Sequence, residues 1–106
     1  MTKHITHSAI VGLVLFFASL PSLAQAGADT YKAKCQMCHG ATGLGDTPAG
    51  KAMKARPLNS PDVLKESDAD LVVIIKNGKN KMPAFAGKIT DVQIDDVLAF
   101  IHTLPK

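Results

Sequence analysis

The sequence predicts an all-α domain, and three observations carry that prediction. No segment alternates apolar and polar residues over several positions, as a half-buried strand would. Apolar residues instead fall at helical spacing in two places, Leu71, Val72, Ile74 and Ile75, then Ile94, Val97, Leu98 and Ile101. Each of these runs is bracketed by start and stop residues, Ser67 and Asn77-Gly78 for the first, Thr90 and Pro105 for the second.

The chain has 106 residues, a length suited to one domain. Its first 26 read as a leader rather than as fold. Met1 to His7 carries Lys3 and no acid, Ala9 to Leu20 is an uncharged apolar run, and Pro21 to Ala26 ends in small residues at Ala24 and Ala26. That order describes a secretory signal peptide, cleaved after Ala26, with the bond after Ala24 as the second option. A membrane anchor would need roughly 20 apolar residues, and this run is short and stopped by Pro21. The expectation is a signal peptide over residues 1–26 and one domain over residues 27–106, exported to the periplasm, with no stable membrane insertion. Losing Lys3 leaves 11 basic residues against 9 acidic, a net charge of +2, too mild for nucleic-acid binding as the main activity. A domain this small buries little apolar area. Only Tyr31, Phe85 and Phe100 remain as aromatics after processing. Something other than side chains is expected to fill the core.

In chain order, Asp29 is an N-cap candidate for a first helix from Thr30 towards Cys38. Gly40 to Asn59 reads as loop, broken by Gly40, Gly43, Gly45, Pro48, Gly50 and Pro57, with a candidate helical turn over Ala49 to Ala55. A connection of this length in a compact domain points to a functional segment wrapped around a large group. Ser60-Pro61 places an N-cap before proline at the first helical position, opening a short helix to about Lys65. Ser67 with Asp70 resembles a capping box with aspartate in place of glutamate, and the helix it opens ends near Asn77-Gly78. Residues 79–89 are loop. Thr90 with Gln93 is a second capping box, Asp91 suits the positive end of the dipole, and the last helix runs to about Leu104.

The chemistry concentrates in "KCQMCHG", Lys34 to Gly40, which holds the only two cysteines, Cys35 and Cys38, followed by His39. Cys-x-x-Cys-His is an attachment pattern for c-type haem: two thiols three apart reach one porphyrin edge, and the adjacent imidazole reaches the iron. A thioredoxin-type dithiol would sit at a strand end in an α/β sheet, and no strand pattern precedes Cys35. A zinc site wants four ligands, and a distant His102 completes one poorly. A disulfide closing a two-residue gap would constrain the unfolded chain little. Haem is therefore the favoured reading.

A second axial ligand is expected downstream. Met37 lies between the cysteines and is excluded by position; Met53 and Met82 remain. Met82 stands in "KNKMPAF", between two helices, where Pro83 fixes the backbone direction. A thioether opposite histidine raises the reduction potential. Against this, methionine is often plain core packing. Met82 is the favoured ligand, with Met53 in reserve and His102 a weaker competitor near the exposed end of the last helix.

The chain resembles the class I c-type cytochromes of bacteria. "CQMCHGATGLGD", "KARPLN", "NGKNKMPAF" and "DVLAFIHTL" match that family in order and spacing over essentially all of residues 27–106. The resemblance implies a cytochrome c-like fold of three to four short helices wrapped around one covalently bound haem c. It implies thioether links at Cys35 and Cys38, and iron ligation by His39 and Met82. It implies a hydrogen bond from His39 to the backbone carbonyl of Pro57. It also implies a close contact of the first and last helices through Gly27, Tyr31 and Phe100.

With both axial positions filled, no site is open to a substrate. The expected role is a soluble one-electron carrier in a periplasmic chain, not an enzyme, with Leu58, Leu71, Ile75, Phe85 and Leu98 burying the macrocycle. Redox partners are expected to dock transiently on a monomer. Lys34, Lys76, Lys79, Lys81 and Lys88 offer a basic rim for acidic partners, which Asp68, Asp95 and Asp96 would offset. The alternative is a haem enzyme, or a small-gas or peroxide-reactive sensor, with a displaceable sixth ligand.

Overall fold

The computed structural model describes residues 11–20 and 22–106. The basic start of the expected leader, Met1 to His7, lies outside the described residues, as does Pro21. Residues 11–20 have no regular structure, and their apolar side chains lie in solvent, Phe16 at 94% and Phe17 at 90% exposure. Six helices follow: α1 (Leu23–Lys34), α2 (Gln36–His39), α3 (Pro48–Ala52), α4 (Pro61–Leu64), α5 (Asp68–Asn77) and α6 (Asp91–Ile101). No strand occurs among the described residues, only two isolated backbone pairings. The all-α prediction holds.

The first helix starts seven residues earlier than expected. Ser22, not Asp29, caps it, its hydroxyl accepting from the Gln25 N–H at 3.2 Å. The alanine-rich stretch before Asp29 is helix-forming in its own right, so α1 runs through the expected cleavage point. It stops at Lys34, and Cys35 (φ −118°) forms the joint between α1 and the one-turn α2. The candidate turn in the long loop is real and shorter than expected. Thr47 caps it by accepting from the Gly50 N–H at 2.9 Å, and Pro48 takes the first helical position.

Ser60 and Pro61 open α4 with the expected backbone, although the Ser60 hydroxyl makes no cap bond. Ser67 caps α5 through the Asp70 N–H at 3.1 Å, but the Asp70 carboxylate accepts from the Ser67 hydroxyl at 2.7 Å. Aspartate is one methylene too short to return to the cap N–H, so this box closes on one side only. Gln93 has the reach. It accepts from the Thr90 N–H at 2.8 Å while Thr90 accepts from the Gln93 N–H at 3.1 Å. α6 ends at Ile101 rather than Leu104, because the last residues tighten to three-residue bonds, Thr103 N–H to Phe100 and Leu104 N–H to Ile101.

Two packing events organise the molecule. α1 crosses α6 so closely that a Cβ on Gly27 would overlap the Asp96 carbonyl. Tyr31 then packs on Phe100 with ring centroids 5.0 Å apart. Behind this, Ile75, Ile89, Ile94 and Leu98 form a buried cluster, with Leu71, Val72, Met82, Phe85 and Ile101 against it. The helix contact expected of Gly27, Tyr31 and Phe100 is therefore formed.

Candidate functional site

The attachment turn is built by backbone geometry. The Cys35 N–H closes α1 on Tyr31 at 2.8 Å, and the Cys35 carbonyl then accepts from both Cys38 (3.2 Å) and His39 (2.9 Å). Positions three and four apart on one helical turn share a face, so Cys35, Cys38 and His39 project together. The two thiols are half-buried and not bonded to each other. Burial, with Cys38 as the lesser cause, pushes the Cys35 thiol up to about 11. Burial therefore works against the thiolate form at Cys35, the form a redox-active dithiol relies on.

Burial pushes the His39 imidazole below its ordinary value, so the ring is neutral and one nitrogen keeps its lone pair. His39 Nδ1 is buried and has no hydrogen-bond partner. An orphaned buried nitrogen costs free energy; a ring that holds a metal through its other nitrogen carries its proton at Nδ1 and donates it to a nearby acceptor, which is the role open to this atom. The expected bond to Pro57 is not made here. The Pro57 carbonyl instead accepts from the Ser60 N–H at 3.1 Å, closing a turn ahead of α4.

The loop after the motif holds this turn from behind. Thr47 Oγ1 donates to the Met37 carbonyl at 2.6 Å while capping α3, and the Cys38 carbonyl lies 3.3 Å from it. A Cβ on Gly50 would strike the Cys38 carbonyl, so α3 sits directly against α2. The Gly45 N–H donates to the His39 carbonyl at 2.8 Å. Tyr31 donates its hydroxyl to the Gly40 carbonyl at 2.6 Å. The sequence marks Gly50 only as a loop breaker and gives Thr47 no role. Thr47-Pro48 repeats the Ser60-Pro61 pattern, and that was the available signal.

The methionines separate clearly. Met37 is 76% exposed and Met53, at the end of α3, 49% exposed, whereas Met82 packs against the Ile75 cluster. The Met82 loop is tied to α5: the Phe85 N–H donates to Ile75 at 3.0 Å and the Ala86 N–H to Lys76 at 3.1 Å, meeting carbonyls left open at the helix end. His102 is exposed, and its Nε2 lies 2.8 Å from the Asp68 carboxylate. Of the expected macrocycle contacts, Ile75 and Leu98 are buried, Leu71 and Phe85 pack on them, and Leu58 is half-buried.

Residues 22–101 match the family model described as cytochrome C oxidase, cbb3-type, subunit III. Among characterised relatives, a cytochrome c6 of Thermostichus vulcanus is 34% identical, covering 95% of this chain and 91% of its own. One from Gloeothece citriformis is 36% identical, with 93% and 92% covered, and one from Nostoc is 36% identical, with 93% and 91% covered. The chain belongs to the monohaem c-type cytochromes, in the cytochrome c6 family. As such it carries one haem c, joined covalently through Cys35 and Cys38, and acts as an electron carrier rather than an enzyme. A carrier of this family meets its redox partners transiently. No helix among the described residues is long and apolar enough to cross a membrane.

Proposed function

We propose that this cytochrome is a soluble, monomeric, periplasmic one-electron shuttle whose iron is held by His39 and Met82. The observation that carries the ligand assignment is the contrast among the methionines: of Met37, Met53 and Met82, only Met82 packs against the buried cluster, half-buried on a loop fixed at the end of α5. When bound, haem supplies a reversible Fe(III)/Fe(II) couple. His39 would hold the group through a ring nitrogen and Met82 through its thioether sulfur. Ile75, Leu98, Leu71 and Phe85 keep water away, which favours the less charged reduced state. Pro57 remains the carbonyl we assign to His39 Nδ1 in the loaded protein, since a carbonyl has a second lone pair beyond the one used by Ser60.

Residues 1–26 are proposed as a cleaved leader. Residues 11–20 are exposed, and the first buried residue among those described is Gly27. Cleavage after Ala26 would leave Gly27 to open a shortened α1, and mass measurement of the exported protein reads the point directly. Lys34, Lys79, Lys81 and Lys88 are exposed and suit an acidic docking surface, while Lys76 is drawn aside by Asp91 at 3.1 Å. Steering by these lysines predicts electron-transfer rates with an acidic partner that fall as salt is added. Salt-independent rates would remove that part of the proposal.

An optical redox titration tests the ligand pair. The oxidised protein is expected to show the weak near-infrared band of a thioether on ferric haem, and Met82→Ala to lose it with a fall in potential. A band and potential unmoved by Met82→Ala would overturn the assignment. Ready carbon monoxide binding to the unmutated reduced protein would favour a gas-reactive role.

A further inference from the structure

We propose that Gly78 and Asn80 are positioning residues for the sixth iron ligand, fixing by backbone contact where the Met82 segment stands and hence how firmly its thioether is held. This rests on the reading of Met82 as ligand. Gly78 ends α5 with φ +75°. A Cβ there would stand 2.5 Å from the Met82 carbonyl oxygen and 3.0 Å from both the Ala84 nitrogen and the Pro83 carbonyl carbon. All three are main-chain atoms of the ligand segment. None can rotate aside as a side chain would, so any substituent at 78 displaces the segment itself.

Asn80 completes the arrangement. The segment from Lys79 to Met82 doubles back on itself, with the Met82 N–H donating to Lys79 at 2.9 Å and the Lys79 N–H to Met82 at 3.2 Å. Closing it requires a left-handed residue, and Asn80 has φ 54°. Asparagine tolerates that conformation, and β-branched residues do not. Downstream, the bonds of Phe85 and Ala86 to α5 fix the other end of the segment. Met82 is thus held between a doubled-back turn and the bare backbone of Gly78, with no slack on either side. Gly87 supplies an internal control. It is left-handed in the same loop (φ +77°), but a Cβ there would meet nothing within 4 Å. Substitution at 87 therefore carries conformational strain without collision.

The test uses the ferric holoprotein and added imidazole, which competes with Met82 for the iron. Gly78→Ala and Asn80→Val are expected to bind imidazole about tenfold more tightly or better, the scale set by forcing atoms into a filled contact. Both should also weaken the near-infrared band and lower the potential. Asn80→Gly and Gly87→Ala should stay within about twofold of the parent, Gly87→Ala losing thermal stability alone. Parent-like imidazole affinity and potential in Gly78→Ala and Asn80→Val overturn the proposal. If Gly78→Ala yields no holoprotein, Asn80→Val against Asn80→Gly decides it. Met82→Ala separates the two readings. Unchanged imidazole affinity in Met82→Ala overturns the ligand assignment and this proposal together, whereas tighter binding there with parent-like positioning variants overturns the positioning role only.

Discussion

Tyr31 joins three parts of the molecule through one side chain. Its ring is buried between α1 and α6, and its hydroxyl donates to the Gly40 carbonyl just after the attachment turn. Burial, with Cys35 as the lesser cause, pushes its pKa up to about 12. In the loaded protein Cys35 carries a thioether and no charge, so burial is the cause that persists. A group whose folded pKa lies above its unfolded value of 10 stabilises the fold fully below pH 10, and that contribution is lost between pH 10 and 12. Tyr31→Phe should therefore cost about 1 kcal/mol at neutral pH, the net worth of one hydrogen bond. It should also flatten the loss of stability between pH 10 and 12, measured by denaturant unfolding across that range. An equally steep alkaline loss in the variant would place its origin in another group. At this scale the chemistry was legible where it is local. Cys35, Cys38 and His39 fall on one turn, and their spacing announces them. The roles of Thr47, Gly50 and Gly78 depend on what the folded chain brings against them, and their types alone do not reveal it.

The helices were legible in proportion to how local their signals are. Thr90 with Gln93 and Ser67 with Asp70 marked the starts of α6 and α5 correctly, because a cap is decided within four residues. The start of α1 was missed because a strong processing signal and a helix-forming stretch overlap in the same residues, and only the second shapes this fold. The end of α3 adds a consequence. The Ala55 N–H bonds to Gly50 at 2.8 Å and the Lys54 N–H to Lys51 at 3.2 Å, the two bonds of a Schellman ending. The residue required to be left-handed there is Lys54, at φ 55°, where glycine is usual. A left-handed non-glycine residue costs about 1–2 kcal/mol, and glycine gives back about 0.4–1 kcal/mol through a freer unfolded chain. Lys54→Gly should thus stabilise the holoprotein by about 0.5–1 kcal/mol in chemical denaturation, with α3 and the attachment turn behind it held more firmly. A loss of stability would mean that the exposed lysine side chain contributes more than its backbone costs.

At the scale of the whole molecule the question is what makes so small a chain cooperative. The buried apolar residues among those described are Tyr31, Ile75, Ile89, Ile94, Val97 and Leu98, and no buried charged or polar side chain supplements them. Leu58, Leu71, Met82 and Phe85 remain only half-buried. They are the side chains expected to close on a macrocycle, so a large part of the apolar area that stabilises this domain is contributed jointly with haem. Domains of this size generally lean on such a group, and a ligand held by the native state alone adds its binding to the stability of that state. Cys35→Ala/Cys38→Ala, made without haem present, is therefore expected to lose the cooperative melt. The α1–α6 contact through Gly27, Tyr31 and Phe100 should survive as the most persistent element, since it needs no macrocycle contact to form. Circular dichroism during heating reads the first outcome and amide hydrogen exchange the second. A sharp melt within a few degrees of the holoprotein would show that the six buried side chains suffice. Protection spread evenly over α1, α5 and α6 would show that the helices do not separate into an independent pair and a haem-dependent remainder.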